Sequence, residues 1–212
     1  MFSPNMLKTF QSCSEKYRLK YIEKINPPQK AAYFEKGKKI HALANYYLRG
    51  DDISKLEKNL NNNELKIWEI LKNNEYFQKN YVNSEYDLSC KIGEYWIGGR
   101  IDAIVKDENN FYILDYKTGS IPKNPEYDFQ TIVYLLCLNS KLNMSQVQNK
   151  INFVYIDLKN KENHIIELTK EKMIEYEKNI IDICDKIETY QPSEDIEYSK
   201  KCEFCEFRKI CT

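Results

Sequence analysis

The chain has 212 residues, of which 42% are hydrophobic and 30% are charged, with 32 basic residues against 32 acidic ones. This composition is ordinary for one globular domain with a sizeable core, and it excludes a disordered chain. The balanced charge excludes a globally basic nucleic-acid binder, so any surface of that kind has to be local. No apolar run approaches the roughly 20 residues of a membrane span, and the first ten residues lack the apolar core of a signal peptide. We therefore expect a cytoplasmic protein that does not contact a membrane.

The first third of the chain has a helical pattern of apolar residues. Ser3 followed by Pro4 is typical of a helix start, because serine caps the first turn and proline fits its first position. A Gly50 after a periodic stretch is typical of a helix end. The pattern predicts a helix over 3–24, a second over 34–49, and two helices within 54–80 that are separated around 61–63.

The rest of the chain alternates between strand and helix signals. Alternating or β-rich stretches predict strands over 82–90, 95–105, 111–116, 151–158 and 164–168. Apolar stretches predict a buried helix over 128–138, starting near Pro125, and a helix over 170–189 capped by Thr169. This order predicts an α/β fold in which a mixed central sheet is flanked by helices.

The stretch from Gly99 to Gly119 carries the most informative chemistry. A turn at residues 107–110 would fold two strands into a hairpin and bring Asp102 near Asp115. Because strand side chains alternate, Asp115 and Lys117 share one face. Two carboxylates and one ammonium suit a divalent cation and an attacking water. Alternatively, Asp115 and Lys117 form an ordinary exposed ion pair on a surface strand.

The sequence D-Y-K-T-G, following G-R-I-D, resembles the third motif of the RecB-like branch of the PD-(D/E)xK nuclease superfamily. The resemblance implies a restriction-endonuclease-like core and a site for Mn²⁺ or Mg²⁺. It implies metal ligation by His41 (in the branch's G-x(3)-H setting), Asp102, Asp115 and the Tyr116 carbonyl, with Lys117 assisting the attacking water.

A helix after the hairpin adds to the resemblance. Gln130 and Tyr134 are four residues apart and share a helical face, as in the Q-x(3)-Y motif of this branch. The resemblance implies a catalytic set that these two residues complete: Asp102, Asp115, Lys117, Gln130 and Tyr134. Members of the family often carry an acid near the metal on the preceding strand. Glu85 is the candidate, but its register is open, and it is equally an ordinary surface acid.

Four of the seven cysteines form a pattern, with Cys13 near the start and Cys202, Cys205 and Cys211 near the end. Such thiolates bind zinc or an iron–sulfur cluster. The spacing resembles the [4Fe–4S] ligands of the CRISPR-associated RecB-like exonuclease family and of AddAB-type nuclease domains. It implies a C-terminal Cys-rich module tied to the N-terminal helix, with zinc as the alternative. We expect one domain over 1–212, with the module formed by 1–30 and 195–212 and the nuclease core by 31–194.

Two further features concern the surface and the core. Residues 1–50 hold ten basic residues against three acidic ones, among the aromatic residues Tyr17, Tyr21, Tyr33 and Phe34. This region is either a solvated basic face or a patch that follows nucleic-acid phosphates. The other three cysteines have apolar neighbours and are expected to be core thiols: Cys90, Cys137 and Cys184.

Together, the motifs and the resemblance imply a metal-dependent DNA exonuclease, with single-stranded DNA favoured and duplex ends as a further substrate. The family suggests a role in CRISPR adaptation, an antiviral defence, or in recombination and repair, with CRISPR adaptation proteins or a helicase as partners. Two alternatives remain open: a structure-specific or restriction-type endonuclease, and a non-catalytic DNA-binding module. The sequence has no phosphate-cradling G-x(4)-G-K loop, so no motor is expected.

Overall fold

The structure, a computed structural model, describes residues 1–25, 27, 35–108, 110–143, 150–192 and 200–211. Its centre is a five-stranded sheet in which the strands lie side by side in chain order. The strands are β1 (Asn80–Ile92), β2 (Tyr95–Asp107), β3 (Asn110–Lys117), β4 (Lys150–Asp157) and β5 (Glu162–Glu167). All neighbouring pairs are antiparallel except β3 and β4, which are parallel. The sheet is therefore mixed, as the sequence predicts.

The parallel step needs a crossover connection, and α6 (Phe129–Asn143) provides it. A 3₁₀ turn (Pro125–Tyr127) precedes this helix, and Thr131 near its start donates a hydrogen bond to the Pro125 carbonyl at 2.7 Å. Residues 131–138 of α6 are all buried. A helix that is apolar on nearly every side belongs inside a protein, so the predicted buried helix is confirmed.

The other helices cover the two faces of the sheet. They are α1 (Pro4–Ser12), α2 (Ser14–Tyr17), α3 (Glu35–Leu48), α4 (Ser54–Lys58), α5 (Asn62–Lys72) and α7 (Lys170–Glu188). One core lies between the sheet and α1, α6 and α7, with Leu7, Phe153 and Ile180 at its centre. A second core lies between the sheet and α3 and α5, with Leu43, Trp68 and Leu114. None of the described helices is long and apolar enough to cross a membrane.

The N-terminal helix is the main departure from the predicted elements. Ser3 caps α1 as predicted, with its hydroxyl accepting from the Met6 amide, but the helix stops at Cys13, whose backbone is extended. Cys13 then caps α2, and a π-helical turn follows at Arg18–Ile22. The expected continuous helix over 3–24 is therefore wrong, because Cys13 serves as an N-cap. Cysteine is not among the preferred N-cap residues, so the sequence does not predict this break.

Three predictions fall partly or wholly outside the described residues. Position 109 of the expected β2–β3 turn is one of them, although the strands that flank it pair Asp107 with Asn110. The aromatic residues Tyr33 and Phe34 also lie outside the described residues, as do residues 26, 28–30, 195–199 and 212 of the expected Cys-rich module. The predicted strands and the helices over 34–49 and 170–189 agree with the structure to within a few residues.

Candidate metal-dependent nuclease site

The site forms where β2 and β3 separate. Their pairing runs from Asp107 opposite Asn110 to Ala103 opposite Leu114 and ends there, just before Asp102 on one strand and Asp115 on the other. Beyond the last pair, the Asp102 carboxylate accepts a hydrogen bond from the Tyr116 amide at 3.1 Å. The Asp102 side chain thus accepts from a backbone amide that has no partner on β2. Both carboxylates lie at the fork, the point where β2 and β3 stop pairing.

Helix α3 brings His41 to the same fork. Its Nδ1 lies 3.2 Å from Asp102 Oδ1, and its Nε2 lies 3.1 Å from the carbonyl oxygen of Tyr116. Burial lowers the pKa of His41, but the hydrogen bond to Asp102 and the charges of Asp102 and Asp115 outweigh burial and raise it above its usual value. Three of the groups that the sequence predicts as metal ligands therefore meet here: the His41 imidazole, the Asp102 carboxylate and the Tyr116 carbonyl.

Asp115, Lys117 and Gln130 form the other half of the site. The Lys117 ammonium lies 2.8 Å from Asp115 Oδ2 and donates to Asp115 Oδ1 at 3.1 Å and to Gln130 Oε1 at 3.3 Å. The Gln130 amide donates to Asp115 Oδ1 at 2.5 Å. Asp128 at the start of α6 fixes this end of the helix by accepting from the Gln130 backbone amide at 2.9 Å. The glutamine therefore aligns the ammonium with the carboxylate.

Tyr134 supports β2 and does not face the groove. It is 6% exposed, and its hydroxyl donates to the Arg100 carbonyl at 2.7 Å, two residues before Asp102. A Cβ atom at Gly99 would lie 3.0 Å from the Tyr134 hydroxyl oxygen, so the absence of a side chain there permits this close approach. The structure thus gives Tyr134 contacts that position the strand carrying Asp102.

Glu85, whose register the sequence left open, lies at the same fork. Its neighbours Ser84 and Tyr86 pair with Ala103 and Ile101, which puts it opposite Asp102 across β1 and β2. Its φ is +46°, an uncommon value for a residue other than glycine, and one that is often found at functional sites. Ligand atoms of His41, Glu85 and Asp102 all lie within 4.8 Å of one another. Burial, followed by the charge of Asp102, raises the pKa of Glu85.

Adjacent strands β1, β2 and β3 therefore each present one carboxylate. Asp115 is 3% exposed, and burial, followed by the charge of Asp102, raises its pKa to about 6. Its buried Oδ2 lies 2.8 Å from the Lys117 ammonium and has no other polar partner among the described residues. Crowded, buried carboxylates are stabilised by a bound cation, and oxygen ligands with one imidazole suit Mg²⁺ or Mn²⁺. The donor set fits such an ion.

An open groove leads to these groups. It has a volume of about 550 Å³ and runs between one face of α3 and the strands β1 and β2. Its lining includes the three groups at the fork and basic, polar and aromatic side chains: Lys38, His41, Asn45, Tyr46, Glu85, Arg100 and Asp102. Tyr46 was not singled out by its sequence context, because neighbouring Tyr46 and Tyr47 differ only in the side of α3 on which they lie. The groove gives an extended substrate access to the fork.

The N-terminal basic region differs from its simplest interpretation as a phosphate-binding patch. Lys8 forms an ion pair with Asp128 at 2.7 Å, Lys16 forms one with Glu206 at 2.9 Å, and Arg18 binds Glu15. The expected stacking residue Tyr17 is 5% exposed and packs edge-on against Phe10. These three cations and this ring make intramolecular contacts, so the simplest interpretation does not hold for this part of the region.

The seven cysteines differ in burial. Cys90, Cys137 and Cys184 are buried in the core, as expected. Cys13 is exposed at the cap of α2, and the other three lie in the last described segment. The pKa of Cys211 is raised by burial, by Glu15 and by the nearby thiols of Cys13, Cys205 and Cys202. The two ends of the chain are therefore neighbours in the fold.

The chain is similar in sequence to a subunit of a RecBCD enzyme and to a CRISPR-associated exonuclease. It is 30% identical over 152 residues to the RecBCD enzyme subunit RecB of Borreliella burgdorferi, which covers 67% of this chain and 11% of RecB. It is 25% identical over 126 residues to the CRISPR-associated exonuclease Cas4 of Francisella tularensis subsp. novicida, which covers 59% of this chain and 61% of Cas4. The matches thus span less than two thirds of the length of each of these two relatives.

The fold and the family model agree with these sequence matches. The crystal structure of a candidate exonuclease from Eubacterium rectale superposes with a TM-score of 0.55 at 14% identity, covering 95% of this chain and 86% of that one, and so shows a shared fold. The family model described as PD-(D/E)XK nuclease superfamily matches residues 1–80 and 63–212. The chain belongs to the PD-(D/E)XK nuclease superfamily.

Proposed function

We propose that this protein is a Mg²⁺- or Mn²⁺-dependent DNA exonuclease that favours single-stranded DNA. The observation that carries the proposal is the group of His41, Glu85 and Asp102 at a solvent-open groove, with ligand atoms within 4.8 Å of one another. The buried Asp115 and the Lys117 ammonium lie next to it on β3. Such a group of acids and one lysine suits hydrolysis of a phosphodiester bond. The similarity to an exonuclease Cas4 supports the exonuclease assignment.

In this proposal, His41, Asp102, Asp115 and the Tyr116 carbonyl hold the metal, and Glu85 joins them from β1. A bound Mg²⁺ or Mn²⁺ would polarise the phosphoryl oxygen and lower the pKa of a bound water. Lys117 holds the attacking water and stabilises the negative charge that develops on the phosphate. Gln130 keeps the ammonium in place through its 3.3 Å contact, and Tyr134 holds β2 through the Arg100 carbonyl.

The cysteine pattern supports an iron–sulfur cluster as a second cofactor, held by Cys13, Cys202, Cys205 and Cys211. Zinc sites usually pair two C-x(2)-C sequences, whereas this chain has only the one at Cys202 and Cys205. The cysteine spacing is therefore more similar to that of cluster ligands, with zinc as the alternative.

The relatives also suggest where the activity acts. We propose that the protein degrades DNA in the cytoplasm, as part of CRISPR adaptation or of recombination and repair, with CRISPR adaptation proteins or a helicase as its partners. The support is the similarity to Cas4 and to the RecB subunit of RecBCD. Co-purification with each candidate partner would test this part of the proposal separately from the chemistry.

The chemistry is tested on end-labelled linear DNA and circular single-stranded DNA, each with Mg²⁺, Mn²⁺ or EDTA. An exonuclease degrades the linear strand and leaves the circle intact, whereas cleavage of the circle would identify an endonuclease. Asp115→Ala should abolish degradation, while Asp182→Ala, which removes an exposed carboxylate on α7, should not. Metal-dependent degradation that persists in Asp115→Ala would contradict the assignment, and binding of DNA without any degradation would favour a non-catalytic module.

A further inference from the structure

Tyr46 is an aromatic side chain that the core does not use. It lies on α3 next to Tyr47, whose ring packs against Trp68 at 5.4 Å and Phe77 at 5.7 Å between ring centres. Tyr46 is 42% exposed, and its ring contacts no other aromatic ring among the described residues. The two adjacent tyrosines thus have different surroundings, and packing of the core accounts for Tyr47 alone.

Tyr46 lines the groove that leads to the proposed metal ligands. It follows His41 by five residues, which is about 7.5 Å along the helix axis. Lys38 lines the same groove on the other side of His41, is exposed, and forms no ion pair with any described residue, whereas its neighbour Lys39 is paired with Glu64 at 3.1 Å. An accessible ring and an accessible ammonium therefore line the groove on the two sides of His41 along the α3 axis.

We propose that Tyr46 and Lys38 form a nucleotide-binding subsite, in which the Tyr46 ring stacks on a base of single-stranded DNA and Lys38 pairs with a backbone phosphate. This inference rests on the proposed function. Aromatic rings bind the faces of unpaired bases with little sequence preference, and basic residues follow the phosphates. In a duplex the faces of internal bases are already stacked, so this subsite takes a single strand or a frayed end.

The subsite is tested by binding a fluorescein-labelled oligothymidylate to the full chain in EDTA, measured by fluorescence anisotropy. Tyr46→Ala should weaken binding by about 5- to 100-fold, the range expected for the loss of one stacked base, and Tyr46→Phe should bind close to wild type. Trp96→Ala is the matched control, because Trp96 is 54% exposed and lies about 20 Å along β2 from Asp102. It should leave binding unchanged.

A strand in which the bases are replaced by abasic residues separates stacking from a distorted groove. Wild type and Tyr46→Ala should bind this strand equally, because the ring has no base to contact. An equal loss on both strands, or unchanged binding by Tyr46→Ala, would overturn the subsite. Degradation of end-labelled DNA by wild type with Mn²⁺ is measured in parallel. If wild type degrades DNA but Tyr46→Ala binds normally, only the subsite is refuted. If binding depends on Tyr46 but wild type does not degrade DNA, only the nuclease proposal is refuted.

Discussion

The Asp102 carboxylate accepts a hydrogen bond of 3.1 Å from the backbone amide of Tyr116, at the point where β2 and β3 stop pairing. The carbonyl of the same residue lies 3.1 Å from His41 Nε2. The Tyr116 ring lies edge-on to the His41 ring at 5.3 Å and to Phe77 at 5.6 Å. Tyr116 therefore contributes its backbone to the candidate site, and its ring joins His41 to the core beneath the β2–β3 hairpin.

Replacing His41 by alanine should weaken Mn²⁺ binding by on the order of 100-fold, because the imidazole is a predicted ligand and also orients Asp102. The chain has only one other histidine, and this provides a matched control. His164 lies on β5, away from the fork, and His164→Ala should bind Mn²⁺ as wild type does. Isothermal titration with Mn²⁺ measures both variants, and equal affinities would remove His41 from the metal site.

Glu85→Gln should reduce Mn²⁺ affinity and the rate of DNA degradation by about tenfold or more, because it removes one negative charge beside His41 and Asp102. Glutamine has nearly the same size, so the strand should keep its conformation. Glu94→Gln makes the same change at the exposed tip of the β1–β2 hairpin and should have no effect. Dependence of the degradation rate on Mn²⁺ concentration compares the two, and identical curves would show that Glu85 is a surface acid.

The place of Glu85 could have been predicted from the hairpin turn. Residues 93 and 94 separate Ile92 from Tyr95, which pair, and counting outward from this two-residue turn puts Glu85 opposite Asp102. The register of Glu85 stays open from residue types alone, because polar and apolar residues alternate only loosely over 82–90. The structure contains a register shift between Tyr81 and Asn83 and a positive φ at Glu85. Neither feature can be predicted from the residue types.

The fold class was predictable because strands and helices with one buried face leave regular patterns, and Asp115 and Lys117 share a face for the same reason. Two features were not predictable: which side of α3 Tyr46 occupies, and the break in the N-terminal helix at Cys13. Tyr46 enters the groove because α3 turns Tyr47 toward Trp68, and the extended backbone of Cys13 interrupts a sequence that otherwise continues as a helix. Tertiary contacts decide both features.

Gly99→Ala should lower the free energy of unfolding by about 1–3 kcal/mol, the usual cost of overpacking. The added Cβ would lie 3.0 Å from the Tyr134 hydroxyl oxygen and 3.3 Å from Pro4 Cδ. Movement of Tyr134 would also loosen the Arg100 carbonyl, so degradation of DNA should fall with stability. Gly119→Ala is the control, because its Cβ would meet nothing within 4 Å. Urea unfolding followed by circular dichroism measures both, and equal stabilities would contradict the close packing.

Cys211→Ala should remove the brown colour and broad visible absorbance expected of an anaerobically purified iron–sulfur protein, because it deletes a proposed ligand. Cys184→Ala deletes a buried thiol in the core and should keep the colour while lowering stability. Visible spectra and iron, sulfide and zinc analysis report on both variants. A colourless wild type that contains one equivalent of zinc would replace the cluster with a zinc site.

Mn²⁺ should raise the melting temperature more at about pH 7.5 than at about pH 5, because metal binding has to displace protons from its ligands. The pKa of Asp115 is raised to about 6 by burial and by Asp102, and the pKa of His41 is also raised.

Both groups therefore hold protons more tightly in the metal-free folded protein than in the unfolded chain, so metal-free stability should fall as the pH rises through about 6. Saturating Mn²⁺ should reverse this trend, with a gain of about 5 °C or more at the higher pH. Thermal melts followed by circular dichroism at both pH values, with and without Mn²⁺, measure the effect, and a Mn²⁺-induced shift that is independent of pH would show that neither group binds the metal.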